Sequence, residues 1–303
     1  METTVNTVVD ADKCIGCGLC IKVCPYETLS MVDGKARVTG ATSLNCGHCA
    51  AVCPVEAIRV VSLQDLATKT FAMEHTWLAH GKGDASRLVQ LMASRRSCRN
   101  FLGRPVAKDI LEDLVTIGTM APSGSNSQEW TFTILPDRAQ MEALGRHIVA
   151  FFRRINRLAG IAPLRTALSL FGQKGLKNYY ERYYTRIEQR LKDWETSGKD
   201  VLFHGAPALI LVGSTAQASC PQEDALLATQ NILLAAHSMG LGSCLIGFAV
   251  EAVRRDARIA RALGLATGER IHAAIALGWP DERYATTAPR KKITPRYPDL
   301  TGR

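Results

Sequence analysis

What the sequence lacks narrows it first. No run approaches the ~18 consecutive apolar residues of a membrane span, and the opening METTVNTVVDADK has neither a basic n-region nor an apolar h-region. A cytoplasmic protein without a membrane span is therefore expected. No G-x-G-x-x-G stretch occurs, so a separate dinucleotide site has no support. Ten cysteines would suggest disulfides in a small secreted chain. Here seven of them fall between positions 14 and 53, while Cys98, Cys220 and Cys244 are scattered. With no export signal, metal ligation is the better reading. The net charge of +9 could serve nucleic acid or a membrane surface, but the basic excess is spread over residues 82 to 192 and 283 to 303. Solvated surface and binding of a phosphorylated cofactor account for it better, and no nucleic-acid partner is expected. The 303 residues suffice for two domains, one with a sizeable core.

What is present begins with a repeat. CIGCGLCIKVCP (14 to 25) and SLNCGHCAAVCP (43 to 54) superimpose at an offset of 29, pairing Cys17 with Cys46, Cys20 with Cys49 and Cys24 with Cys53, and leaving Ser43 opposite Cys14. The flanks PYETLSMV and PVEAIRVV also match, each a short turn of helix leading into a strand, and VDGKARV between them predicts a hairpin turning at Asp33-Gly34. The C-x2-C-x2-C-x3-C-P spacing lets three thiolates on a tight loop reach one iron-sulfur cube, while the fourth, at the head of the following helix, points to the other. Cys14, Cys17, Cys20 and Cys53 would hold cluster I, a [4Fe-4S] centre. Cys46, Cys49, Cys24 and the residue at 43 would hold cluster II. A zinc site is the competing reading, but zinc uses paired CxxC units and has no need of the C-x3-C-P tail. Residues 1 to 62 thus resemble the bacterial two-cluster ferredoxins.

Ser43 leaves cluster II with three strong ligands and a hydroxyl that must lose its proton to bind iron. A [4Fe-4S] cluster with serine or water on one iron, a [3Fe-4S] cluster, a labile site, or a rearranged loop with Ser43 away from the metal all remain open. His48 reads as a structural neighbour rather than a ligand.

Residues 63 to 84 read as a connector, part helical, ending at Gly81 and Gly83. Asp84 or Ser86 can cap the helix SRLVQLMASRR, whose Leu88, Leu91 and Met92 share a face. Four stretches then follow in order: RRSCRNF (95 to 101); APSGSNSQEWTFTIL (121 to 135), with Trp130, Phe132 and Ile134 alternating as in a strand; the buried strand GAPALILVG (205 to 213); and a helix over 224 to 239, apolar nearly all round, stopped by Gly240 before GLGSCLIGF. A strand and a basic loop, IHAAIALGWPDERYATTAPRKK (271 to 292), close the series.

In that order and spacing, residues 86 to 292 resemble the FMN-dependent nitroreductase family, and the whole chain resembles its ferredoxin-fused members. The resemblance implies an α+β fold: a small iron-sulfur domain (1 to 62), a linker (63 to 84), and an FMN domain (85 to 303). The last has a mainly antiparallel central sheet flanked by helices and a helical lid over about 140 to 204. It further implies a homodimer with FMN at the interface, into which the helix at 224 to 239 packs. Arg95, Ser97 and Arg99, at alternate positions, match the residues that contact the phosphate and flavin, and Arg290 with Lys291 or Lys292 matches the basic loop closing on the phosphate. FMN needs such cations for its phosphate and for negative charge at reduced N1. Pro122, Ser123, Gly124, Ser125 and Asn126 match the loop that meets the flavin across the dimer interface. Ile246 and Gly247 match the turn whose backbone N–H approaches flavin N5. Arg96 is expected to face elsewhere, and Cys98 and Cys244 to be small packing residues.

Between the strand in the 130s and GAPALILVG the periodicity predicts helices, with Tyr179, Tyr180, Tyr183 and Tyr184 on two strips of one helix. Such a basic, aromatic lid suits a flat, electron-poor or anionic substrate, though packing alone would also explain it. The implied function is a relay: electrons from an external low-potential donor such as ferredoxin pass one at a time through the clusters to FMN, with NAD(P)H as the alternative direct donor that plain members of the family use. The flavin then reduces a nitroaromatic, quinone or activated double bond by hydride transfer, with no catalytic side chain required. The alternatives are a dehydrogenase running the relay in reverse to a ferredoxin-type acceptor, and a non-enzymatic electron carrier or redox sensor for a partner protein.

Overall fold

The computed structural model describes residues 4–198 and 200–301. The small domain is built twice from one unit. Strand β1 (Thr7–Val9) leads to a single helical turn, α1 (Leu19–Lys22), and strand β2 (Leu29–Val32). Strand β3 (Lys35–Val38) is followed by a second turn, α2 (His48–Ala51), and strand β4 (Ile58–Val60). β1 pairs antiparallel with β4, and β2 with β3. The β2–β3 turn puts Asp33 at φ 50° and Gly34 at φ 73°, the two left-handed residues that a tight hairpin matched to strand twist demands. The repeat extends to the backbone: Glu27 and Glu56, 29 positions apart, both take φ near 50°. Each helical turn precedes its fourth cysteine, so Cys24 and Cys53 leave the end of a turn instead of heading the next helix as the sequence suggested.

Residues 62 to 84 contain no helix, contrary to expectation. The reason is a competing acceptor. Lys69 and Thr70 donate their backbone N–H groups to the Asp113 carboxylate at 2.6 and 2.8 Å, and the Thr70 hydroxyl adds a third bond at 2.5 Å. The strap is thereby tied to α4 (Lys108–Gly118), and Lys69 also pairs with Glu112. Burial alone would raise the Asp113 pKa, but the Thr70 hydroxyl and the two N–H donors outweigh it and hold the carboxyl below its ordinary value of 3.8. A depressed carboxyl stabilises the fold above its unfolded-state value and loses that contribution as pH falls through the folded one. Proteolysis within the strap is therefore expected to accelerate below about pH 4. Asp113→Ala, which forfeits about 2 kcal/mol of charge-assisted bonding, should show fast cleavage at pH 7; equal rates in variant and parent would refute the latch.

Before α4 stands α3 (Ala85–Ser94), N-capped by Asp84, which accepts from Arg87 N. None of its residues is buried: Leu88, Val89 and Met92 project from it at 50%, 62% and 46% exposure, so its apolar face has no cover within the protomer. A single 3-10 turn at Gly124–Asn126 then enters β5 (Trp130–Leu135). Four lid helices follow: α5 (Arg138–Gly160), α6 (Ala162–Leu170), α7 (Gly175–Arg182) and α8 (Tyr184–Ser197). The tyrosine run is broken between α7 and α8, where Tyr183 leaves helical geometry at φ −129°, so its two strips belong to two helices instead of one.

The remaining elements are β6 (Ala208–Ser214), α9 (Pro221–Ser238), β7 (Gly242–Leu245), α10 (Gly247–Arg255), α11 (Ala257–Ala262) and β8 (Arg270–Gly278). The sheet order is β5-β6-β8-β7, antiparallel throughout. Every residue of β6 is buried because helices cover both faces. Ile210 and Val212 pack with Leu111 and Leu114 of α4 and Ile232 of α9, while Leu209 and Leu211 face Ile148 of α5 and Ala249 of α10. Gly240, at φ 80°, closes α9 with Leu241 N donating to Ala236 O. No helix among the described residues is long and apolar enough to cross a membrane.

Candidate functional site

In the small domain the fold brings the thiols together in two groups. Burial raises the Cys20 pKa, and the neighbouring Cys17 and Cys14 raise it further; burial likewise raises Cys49, with Cys46 and Cys24 as its charged neighbours. Cys24, from the first motif, thus sits with the second motif's pair, as cluster ligation across the repeat requires. Backbone donors are aimed at the sulfurs: Ala36 N at Cys14 Sγ (3.4 Å) and Ala57 N at Cys53 Sγ (3.2 Å). Ser43 is buried at 9% exposure, lines one cavity with Cys24, Cys46 and Cys49, and accepts from Asn45 N at 3.0 Å. His48 borders that cavity. Soft thiols in two groups, with N–H donors aimed at the Cys14 and Cys53 sulfurs, fit iron-sulfur cubes.

In the larger domain, residues 95 to 101 run extended beside β7. Cys98 N donates to Ser243 O at 2.9 Å, and Ser97 bridges Ser243. That pleat turns Cys98 inward, 3% exposed, and explains why Arg95, Ser97 and Arg99 share the opposite side. Burial pushes the Cys98 thiol up to about 11 and also raises Cys244, so both remain protonated packing residues near neutral pH. Arg95 is half-buried; burial depresses its pKa, and nearby Arg96 and Arg290 depress it further. Among the described residues neither Arg95 nor Arg290 pairs with a carboxylate. Two guanidiniums near each other without a carboxylate partner could take an anion such as a phosphate. Lys291 and Lys292 are exposed.

A cavity of about 730 Å3 lies between the lid and α10. Arg99, Cys244, Ile246 and Gly247 line it from the sheet side, and Phe151, Phe152, Tyr179 and Tyr183 from the lid. Ile246 cannot offer its N–H there, because that group donates to Ala274 O at 2.9 Å. Gly247, the first residue of α10, is the donor left at this turn: its N–H opens a helix whose positive end borders the cavity.

Sequence reasoning missed several residues here. His204, beside the cavity, takes φ 58°, and burial lowers its pKa with help from Arg99 and Arg190. Glu282 accepts from Arg99 N (3.0 Å) and Asn100 Nδ2 (2.8 Å), fixing the extended stretch. Neither carries a local pattern; only the Arg-rich surroundings could have hinted at them. Of the four tyrosines, Tyr179 and Tyr183 face the cavity, with the Tyr179 hydroxyl bonded to Asn156 Oδ1 at 2.6 Å. Tyr180 instead lies under the Arg165 guanidinium and beside Tyr184.

Residues 122 to 126 do not line this cavity. Their loop is held by Gly124 N on the buried Asp224 carboxylate (2.9 Å), and Ser125, Asn126 and Gln128 all have φ above 50°. Asn126 Nδ2 donates into the small domain, to Leu44 O at 3.1 Å and Asn45 O at 3.2 Å.

The fold, the cavity headed by a helix N-terminus and the two cysteine motifs go with an FMN-dependent oxidoreductase carrying an N-terminal 4Fe-4S domain. The chain belongs to the nitroreductase family, whose sequence pattern matches residues 92–279, and the 4Fe-4S binding domain pattern matches residues 7–30. It is 26% identical over 212 residues to the iodotyrosine deiodinase of Thermotoga neapolitana, covering 69% of this chain and 97% of that one. It is 27% identical over 208 residues to the 4-nitrobenzoate reductase of Pseudomonas putida, covering 63% and 85%. A nitroreductase from Desulfitobacterium hafniense solved with bound FMN superimposes with a TM-score of 0.50 at 25% identity, covering 69% of this chain and 97% of that one.

Proposed function

We propose that the protein takes electrons one at a time from an external low-potential donor such as a ferredoxin through two iron-sulfur centres to FMN, or hydride from NAD(P)H directly at FMN, and reduces an electrophilic small molecule. Nitroaromatics, quinones and activated double bonds are the candidate class. The observation that carries this reading is the hydrogen-bonded junction between Asn126, on the flavin loop, and Leu44 and Asn45, on the loop carrying Ser43. When bound, the 4Fe-4S groups supply one-electron transfer and FMN supplies reduction of the substrate.

The chain itself binds and shapes. Cys14, Cys17, Cys20 and Cys53 would hold one centre, and Cys24, Cys46 and Cys49, with Ser43, the other. Arg95 and Arg290 would hold the FMN phosphate with Ser97 and Arg99 beside it, and the Gly247 N–H would be the backbone donor available to the flavin. The aromatic lid excludes water and stacks on a flat substrate, while Arg190, on the cavity wall, offers a guanidinium to a carboxylate or nitro group. A cavity of about 730 Å3 walled on one side by the lid favours an enzyme over a bare electron carrier. The apolar side chains of α3, together with Leu226 and Leu227 at 42% and 46% exposure on the adjoining α9, form the face on which a second copy docks. That copy would receive Pro122, Ser123, Gly124 and Ser125 at its flavin.

Anaerobic purification with iron and FMN quantitation, and EPR before and after dithionite, tests the reading. One FMN and about eight irons per chain are expected for two cubes, or about seven with a three-iron centre, and anaerobic 4-nitrobenzoate should reoxidise the reduced flavin. Zinc in place of iron, or a reduced flavin indifferent to nitroaromatics and quinones alike, would refute it.

A further inference from the structure

We propose that the centre held by Cys24, Cys46 and Cys49 is the exit of the small domain, and that Asn126 is the positioning residue docking its Ser43 loop onto the larger domain. This deepens the relay reading and rests on it. The loop is held from several sides. Asn45 N donates to Ser43 Oγ (3.0 Å), Asn45 Nδ2 to Thr4 O (2.9 Å), and Asn6 N to Asn45 Oδ1 (3.0 Å). Asn126 then donates to the carbonyls of Leu44 and Asn45 themselves. Both asparagines hold left-handed backbone, φ 48° and 53°, a conformation that costs energy and persists where surrounding contacts fix it. A cleft of about 370 Å3 runs along the same junction, between Ser43, Leu44 and Asn45 on one wall and Ser125, Asn126 and Gln128 on the other.

The other centre has different surroundings. Cys17 is exposed, Ile15 beside it is 63% exposed, and Lys35 Nζ donates to Cys14 O at 2.5 Å. Among the described residues, no hydrogen bond joins Cys14, Cys17 or Cys20 to the larger domain. That face is open to a donor. Each electron from a low-potential one-electron donor enters there, passes to the Ser43-side centre and leaves across the Asn126 junction. At each transfer one group is oxidised by one electron and the next reduced by one; two electrons and two solvent protons complete the reduction of one FMN. Hydrogen bonding around a cluster is one of the levers that set its potential, so Asn126 should be felt by one centre and not by the other.

The test is EPR-monitored redox titration of the FMN- and iron-loaded holoenzyme, using Ser43→Cys to mark which signature belongs to the inner centre. Asn126→Asp tolerates left-handed backbone but cannot donate to the two carbonyls; Asn126→Gly relieves the backbone and removes the amide, covering the case in which the aspartate variant fails to fold. In either, the signature marked by Ser43→Cys is expected to shift, the other to stay in place, and flavin reduction after mixing with dithionite to slow at least tenfold. Lys35→Gln should move only the outer signature. Normal iron content with an unmoved inner signature, or with the outer one moved by the Asn126 variants, overturns the inference alone. An enzyme that binds no iron overturns both the inference and the relay.

Discussion

Replacing Arg95 by alanine is expected to strip FMN from the protein while leaving its iron in place. The half-buried guanidinium has burial, Arg96 and Arg290 working against its charge, so in the free protein it is a site waiting for an anion. Removing one member of a desolvated, hydrogen-bonded charge pair costs about 3 kcal/mol, on the order of a hundredfold in affinity. Flavin retained after gel filtration, read by absorbance and by fluorescence of the released cofactor, should fall accordingly. Because Arg95 and Arg290 repel each other when nothing lies between them, the same variant should lose no thermal stability in its flavin-free form. Full FMN retention would place the phosphate elsewhere, and a destabilised apoprotein would show that Arg95 serves the fold instead.

Cys24→Ala should remove one iron-sulfur centre outright. It leaves the second site with Cys46, Cys49 and a serine hydroxyl, two thiolates where a cube needs at least three firm ligands. Iron content is expected to drop by about half, with the surviving EPR signature identical to that of the outer centre in the parent. Cys53→Ala still leaves three thiolates at the outer centre, so it should alter the outer signature toward a three-iron or labile centre and spare the inner one. These paired outcomes test the crossing of ligands between motifs: if each motif held its own cluster, the losses would be exchanged. The grouping of Cys24 with Cys46 and Cys49, apart from Cys14, Cys17 and Cys20, argues for the crossed arrangement.

The two halves of the protein were legible in the sequence to different depths. The backbone of the ferredoxin-like repeat was legible in outline, because each cysteine motif spans a dozen positions and its turns are set by glycines and an Asp-Gly pair whose backbone demands are local. The sheet of the larger domain was legible because strands covered on both faces become continuous apolar runs. The connector was misjudged as part helical because Asp113, 44 and 43 positions along the chain, captures the N–H groups of Lys69 and Thr70. Ile246 was assigned a donor role that its bond to Ala274 O forbids, and the broken helix at Tyr183 was hidden behind unbroken helical spacing. In each case a partner distant in sequence decided the geometry.

The sequence by itself determined the iron-sulfur reading, since cysteine spacing is a short-range constraint, while the flavin reading came from the resemblance carried by the order and spacing of the stretches between residues 86 and 292. Only the tertiary structure decided which cluster loop meets the larger domain, which backbone N–H is left at the cavity, and that Asn126 reaches across about 80 residues of chain to Leu44 and Asn45. The physical reason is that a hydrogen bond between a side chain and a remote carbonyl constrains no neighbouring residue type. It leaves no periodicity to read and exists only once both loops are packed.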